Sequence, residues 1–270
     1  MASTEPMQGV PAVDPAGALK RVVRDGASDL VAVEEPLEIR VDGEPIAVTM
    51  RTPGHDEELA AGFLFGEGLI TGPPEIGLTD DLAANTIELR GPLARAAPSR
   101  RFYTTSSCGV CGKGALEEVA VHCGALPDGP RVARGLLAAL PDRLVQPGFT
   151  RTGGLHATGL FDTRGELICV REDVGRHNAM DKVVGWSLLA GRMPLSGQIL
   201  CVSGRLSFEL VQKAAVAGAP ILVGVGAPTS LAVELAADRG LTLCGFARGG
   251  SVNVYTAPER ALPSQPGIAP

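Results

Sequence analysis

The sequence predicts a smaller N-terminal α+β unit followed by an α/β unit. Three observations carry this. From about Thr152 onward, short and nearly continuous apolar runs alternate with helical patterns, as in a parallel sheet covered by helices. Before that point the apolar runs are hairpin-like, and one capped helix interrupts them. The chain has 270 residues with 45% hydrophobic content, enough for one large domain or two modest ones. The expected divisions are a disordered lead-in over residues 1–18, an α+β domain over 19–125, an α/β domain over 126–257 and a mobile tail over 258–270.

The elements follow in order. A strand-like run from Val31 to Val41 and a second over residues 46–50 flank Asp42-Gly43, a hairpin turn signal. Within residues 51–66, acidic residues Asp56, Glu57 and Glu58 at the start and glycines at the end mark a helix between caps. Residues 86–89 read as a strand. Leu116, Val119, Ala120 and Cys123 repeat at helical spacing. In the second half, residues 155–162 and 167–170 read as a strand pair and 176–190 as a helix. Strands over 198–202, 220–225 and 241–246 then alternate with helices over 208–217 and 229–237, the last capped by Thr229 and closed by Gly240.

Between the two units lies a glycine-rich loop, residues 104–114, carrying Cys108 and Cys111 at C-x-x-C spacing. Glycines on both sides leave the sulfurs uncovered, and a following helix N-terminus and Lys113 both favour thiolate over thiol. Of the six cysteines, Cys169, Cys201 and Cys244 sit in apolar strand-like runs, and Cys123 falls on the apolar face of its helix. These four read as small packed hydrophobes. The C-x-x-C spacing alone leaves redox, sulfur-transfer and metal-binding chemistry open.

A net charge of −6 argues against non-specific nucleic-acid binding. Residues 1–9 lack a secretory signal, and the longest apolar run, 214–228, is too short and too broken for a membrane span, so the expectation is a cytoplasmic protein. Three turns fall at the carboxyl ends of predicted strands, where open α/β sheets bind ligands: residues 171–178, 203–207 and 246–251. Each joins glycine to arginine, a pairing suited to a phosphorylated ligand. His177 and Asp173 either orient that ligand and move protons or cap the helix. His156 either lines the pocket or hydrogen-bonds within the core, and His55 reads as surface structure at an acidic helix start.

Several stretches together resemble the FdhD/NarQ family, in the family's order, from about residue 31 to 256. They are Ser106-Ser107-Cys108-Gly109-Val110-Cys111-Gly112, Gly153-Gly154-Leu155-His156-Ala157 and Glu172-Asp173-Val174-Gly175-Arg176-His177-Asn178-Ala179 with Asp181-Lys182. Ser203-Gly204-Arg205-Leu206-Ser207 and Phe246-Ala247-Arg248-Gly249-Gly250 complete the series. The resemblance implies an accessory sulfurtransferase for formate dehydrogenase. A cysteine desulfurase would hand sulfur to it, and it would pass the sulfur to the molybdenum cofactor, Mo-bis(molybdopterin guanine dinucleotide), before insertion into the dehydrogenase. Cys108 matches the persulfide-bearing position, Cys111 the second loop cysteine, and Phe246, Ala247, Arg248, Gly249, Gly250 and Ser251 the cofactor-binding stretch. A cytidine-deaminase-like three-layer core, a homodimer, GDP as a ligand mimic and no structural metal are also implied. Residue chemistry adds Arg205 and Arg248 as receptors for pyrophosphate, with Ser203, Gly204 and His177 beside them.

Three alternatives are weighed against this. A zinc deaminase needs a His- or Cys-x-Glu followed by P-C-x-x-C, and neither His156-Ala157-Thr158 nor His177-Asn178-Ala179 supplies the glutamate. A structural zinc module on Cys108, Cys111, His122 and Cys123 is awkward, because adjacent helical residues point about 100° apart. A thioredoxin-like exchanger would carry its pair near the N-terminus of a thioredoxin domain.

Overall fold

The computed structural model describes residues 17–77, 85–94, 102–104 and 123–263. Cys108, Cys111 and the helical pattern at Leu116, Val119 and Ala120 lie outside them.

Strands β1 (Leu19–Arg24) and β2 (Ala27–Ala32) form an antiparallel ribbon, which Val33 closes by donating its N–H to the Ala18 carbonyl. The single strand expected from Val31 to Val41 is therefore two, because residues 27–32 pair with β1 whereas β3 (Glu35–Val41) pairs with β4 (Glu44–Arg51). The Asp42-Gly43 turn forms as expected: φ is 48° and 84°, the left-handed pair of a type I′ hairpin. With β5 (Glu75–Gly77), β6 (Thr86–Arg90) and β7 (Phe102–Thr104), these strands make a sheet of order β5-β6-β3-β4-β7. Helix α1 (Asp56–Gly66) buries Leu59, Phe63 and Leu64 with Leu37, Ile39 and Leu89 of that sheet.

The second unit opens with β8 (Val132–Ala133), α2 (Arg134–Ala139) and α3 (Pro147–Thr152). Then come β9 (His156–Phe161), β10 (Leu167–Asp173), α4 (Arg176–Leu189), β11 (Ile199–Val202), α5 (Phe208–Val216), β12 (Ile221–Gly224), α6 (Ser230–Arg239), β13 (Thr242–Arg248) and β14 (Ser251–Val254). Thr229 caps α6 by accepting from the Ala232 N–H, and Gly240 ends it at φ 65°. The sheet order is β10-β9-β11-β12-β13-β14. The expected parallel sheet forms the centre of a mixed one: β11, β12 and β13 run parallel, whereas β9 and β14 are antiparallel to their neighbours. The reason is connection length. The β9–β10 and β13–β14 links are tight turns, which can only reverse the chain, and helices α5 and α6 supply the crossovers that parallel pairing needs.

Helices cover both faces, giving three layers. On one side Leu137, Leu140 and Leu144 pack on Phe161, Cys201, Val223 and Cys244. On the other, Met180, Val184, Leu210, Val211 and Leu235 pack on Leu200, Leu222 and Leu243. Cys123 joins this second cluster, in keeping with its reading as a small packed hydrophobe; the helix expected before it lies outside the described residues. The first residues of the expected tail are built into the fold: β15 (Ala261–Leu262) pairs with β8, and buried Arg260 donates to the carbonyls of Gly240 at 2.7 Å and Pro127 at 3.3 Å. These bonds satisfy otherwise stranded carbonyl groups.

Helices α1 and α4 cross in direct backbone contact at Gly62 and Gly185, where a methyl group on either would overlap a carbonyl oxygen of the other helix. Polar groups complete the joint. Arg171 binds Glu58 through two nitrogens at 2.6 and 2.8 Å, and Lys213 of α5 reaches Asp181 of α4 at 2.8 Å. No helix among the described residues is long and apolar enough to cross a membrane.

Candidate functional site

The sheet directions bring four strand ends to one edge. The carboxyl ends of β10, β11, β12 and β13 meet there, together with the amino end of β9. His156 opens β9 opposite Asp173, the last residue of β10. Ser203, just past β11, ties to β9 twice: its N–H donates to the Ala157 carbonyl, and its Oγ accepts from the Ala157 N–H, both at 2.9 Å. His156 therefore stands between the start of α4 and the 203–205 turn, and the position a Gly204 Cβ would occupy is 3.4 Å from its Nδ1.

The loop after β12 locks these turns together. Gly226 donates to the Gly204 carbonyl at 3.0 Å and accepts from the Phe246 N–H at 3.1 Å, while Leu206 donates to the Ala227 carbonyl at 3.0 Å. A Cβ at Gly226 would come within 2.9 Å of the Arg205 Cα, so glycine is required for this approach. Phe246 sits in the left-handed region at φ 54°, within an irregular stretch of the β13–β14 ladder, and is 37% exposed. Such a backbone costs a non-glycine residue about 1–3 kcal/mol and is typical of functional positions. The segment 246–251 is consequently a hairpin arm, not a free turn: β13 continues through Arg248, and Gly249 and Gly250 turn the chain at φ 55° and 75°.

His177 Nε2 lies 2.7 Å from Glu209 Oε2 and 3.2 Å from Ser207 Oγ. That bond is the largest cause holding the Glu209 carboxyl below its usual range. Burial, followed by the charges of Arg176 and His177, holds the His156 imidazole below the usual histidine range. Arg176 Nε is buried with no hydrogen-bond partner among the described residues. Arg176, Arg205 and Arg248 form no salt bridge among them either. The edge is thus a cationic notch with spare donors, which suits an anionic ligand.

Of the residues proposed from sequence, Ser203, Gly204, Arg205 and His177 are brought together with His156. Phe246 joins them through Gly226, and Arg248, Gly249, Gly250 and Ser251 extend along the hairpin. Of the two readings of Asp173 the structural one holds: fully buried, it accepts from Thr52 N–H, Gly175 N–H and Asn178 Nδ2 and pairs with Lys182 at 2.7 Å. It fixes the start of α4 and is not free for a ligand. Arg171, spent on Glu58, is likewise structural. His55 is the left-handed N-cap residue of α1, in keeping with its structural reading. Sequence reasoning missed Glu209 and the 225–228 loop. The loop had a legible signal, a glycine just past a strand, but it lacks the arginine that singled out the other turns.

The four cysteines among the described residues are all buried. Burial pushes the thiols of Cys169 and Cys244 up to about 12 and those of Cys123 and Cys201 upward as well. Among the described residues no group of three or more His, Cys, Asp or Glu could hold a metal ion. Three of the four ligands of the zinc-module alternative lie outside them, and its fourth, Cys123, is committed to the apolar core.

The model of the FdhD/NarQ family matches residues 32–262. The chain belongs to the FdhD/NarQ family. It is 51% identical over 260 residues to the sulfur carrier protein FdhD of Streptomyces avermitilis, covering 88% of this chain and 92% of that one. To the sulfur carrier protein FdhD of Mycobacterium tuberculosis it is 49% identical over 253 residues, covering 86% and 91%. Among solved structures, that of a proposed formate dehydrogenase accessory protein from Desulfotalea psychrophila superposes with a TM-score of 0.72. It is 31% identical, and the match covers 90% of this chain and 98% of that one. The family match runs through both units.

Proposed function

We propose that this FdhD/NarQ-family chain is a sulfur carrier serving formate dehydrogenase, with Cys108 as the carrier residue. The observation that carries the proposal is the state of the other cysteines. A sulfur carrier needs an accessible thiolate, and all four described cysteines are buried with raised thiol pKa values. That leaves Cys108 and Cys111. The Cys108 thiolate attacks the terminal sulfur of a persulfide on a cysteine desulfurase; a new S–S bond forms, the donor S–S bond breaks, and the donor cysteine leaves as thiolate, with no oxidant required. Cys111 either attacks the inner sulfur of the Cys108 persulfide, forming a Cys108–Cys111 disulfide as the S–S bond to the outer sulfur breaks and hydrosulfide leaves, or tunes its neighbour.

The cargo site in this reading is the cationic edge, and the acceptor is Mo-bis(molybdopterin guanine dinucleotide), with GDP as its simplest mimic. The residues present fit a guanylated, diphosphate-bearing ligand: three arginines without salt bridges among the described residues, one with a buried orphan Nε, beside an exposed Phe246. Strand β7 supports the connection between the two sites. It pairs in parallel with β4, placing Thr104 opposite Thr49, whose hydroxyl donates to Asn178 in the first turn of α4. A cytidine-deaminase-like core, a homodimer and a cytoplasmic location belong to the same reading.

Mass spectrometry after incubation with a cysteine desulfurase and free cysteine tests it. One added sulfur atom is expected on Cys108, absent in Cys108→Ala and retained in Cys123→Ala. Loading that survives Cys108→Ala, or that maps to a buried cysteine, overturns the assignment.

A further inference from the structure

We propose that Asp181 is a buried proton switch: the proton it gains or loses decides whether Lys213 is balanced by Asp181 or drawn toward Glu209, and so how firmly Glu209 holds His177. The inference goes beyond the carrier reading and does not depend on what the strand-end edge binds.

Spacing builds the device. His177 and Asp181 stand four residues apart on α4, and Glu209 and Lys213 four apart on α5, so each pair shares one helix face. The two faces meet as a ladder of two rungs: His177 Nε2 to Glu209 Oε2 at 2.7 Å, and one turn further along, Lys213 Nζ to Asp181 Oδ1 at 2.8 Å. Glu67, just past α1, closes the far end at 3.7 Å from Lys213. The second rung is shut from water, with the Lys213 and Asp181 side chains 6% and 3% exposed.

That rung is poorly satisfied for its depth. The other buried pair at α4 shows the contrast: Asp173 accepts from three N–H donors besides Lys182, and Lys182 donates to two carbonyls besides Asp173. Asp181 Oδ1 has only the Lys213 ammonium beside it among the described residues. A carboxylate with one cation, no N–H donor and no water ionises reluctantly. Burial pushes the Asp181 carboxyl up to about 6 against the pull of Lys213; Glu67 adds to the rise, and His177 opposes it. For Lys213, burial is outweighed by Asp181, Glu67 and Glu209, which hold its pKa above the usual lysine range. The charged groups facing the switch are thus Glu67 beside α1, His177 on α4, and Lys213 and Glu209 on α5.

Protonation redistributes these charges. Once Asp181 is neutral, Lys213 loses its nearest counter-charge and leans on Glu67 and on Glu209, four residues back along its own helix. Glu209 is then divided between Lys213 and His177, both of which already act on it. The folded chain takes up this proton more readily than the unfolded one, so the contribution of Asp181 to stability falls as pH rises from about 4 through about 6.

NMR titration of the full chain, labelled with carbon-13 at the aspartate carboxyls and in the rings of its 4 histidines, tests this. One aspartate should titrate near pH 6, vanish in Asp181→Asn and titrate higher in Lys213→Met. The His177 ring signal, assigned with His177→Gln, should differ between the unsubstituted protein and Asp181→Asn at a pH of about 8, where only the former is charged at residue 181. At a pH of about 5, where both are neutral there, the difference should shrink severalfold, and His55 should show no difference at either pH. A packing defect would move the His177 signal equally at both pH values. That equality, or no movement at all, overturns the proposal. So does the unsubstituted protein if none of its aspartates titrates above about 5, a result that stands whether or not Asp181→Asn folds.

Discussion

Replacing Asp173 by alanine is expected to destabilise the protein by about 3–5 kcal/mol, the range for removing one partner of a buried ion pair. The carboxylate has no exposure, and Lys182 beside it is 1% exposed. Lys182 Nζ would keep only the carbonyls of Thr52 at 2.9 Å and Glu172 at 3.3 Å, with no counter-charge. The Thr52 N–H and the Gly175 N–H would lose their acceptor in the same step. Against a typical total of about 5–15 kcal/mol this is a large fraction. Asp173→Asn separates the two contributions, since it retains an acceptor oxygen but strands the ammonium. Chemical denaturation should place it close to the alanine variant, and Lys182→Met in the Asp173→Asn background should recover part of the loss. A loss below about 1 kcal/mol for Asp173→Ala would show that the pair is not what holds the joint. Because Asp173 immediately precedes the turn into α4, loosening it should also blur the placement of Arg176 and His177.

The second large effect is expected at the crossing of α1 and α4. Gly→Ala inside a helix ordinarily gains roughly 0.5–1 kcal/mol from propensity. At Gly185 the added methyl would overlap the Glu58 carbonyl, and at Gly62 it would overlap the Asp181 carbonyl. Neither can turn aside as a side chain can. The helices must separate, and overpacking of a core contact costs about 1–3 kcal/mol, with the contacts of Leu59, Phe63 and Leu188 loosened as well. The penalty exceeds the propensity gain, so Gly185→Ala and Gly62→Ala should each lower stability by about 2 kcal/mol in thermal or chemical unfolding. Gly66→Ala is the contrast. Its methyl would first meet the end of the Lys213 side chain at 3.3 Å, which can shift, so the change should stay within about 1 kcal/mol of neutral. Equal losses at Gly66 and Gly185 would contradict the close-crossing argument.

The joint also has functional weight. It ties β4 and α1 of the first unit to the first turn of α4, and β7 runs parallel to β4 beside it. Asp173, Asn178 and Lys182 thereby hold the first unit to the start of α4, beside Arg176 and His177.

The sequence alone determined the local elements. The Asp42-Gly43 hairpin, the α6 caps at Thr229 and Gly240, the apolar strands and the packed cysteines depend on neighbours a few residues apart, and periodicity and turn chemistry report those interactions directly. It also placed Arg205 and His177 just past strand ends. Only the tertiary structure decided strand direction, because β9 and β13 read alike as apolar runs whichever way they point. It likewise chose between the two readings of Asp173 in favour of the anchor: its partners Thr52, Asn178 and Lys182 come from two units, and a buried charge reveals its purpose only when its counter-charge is seen. Gly62 and Gly185 carry no distinguishing pattern in the chain, since their need for glycine arises from a backbone 123 positions away in sequence.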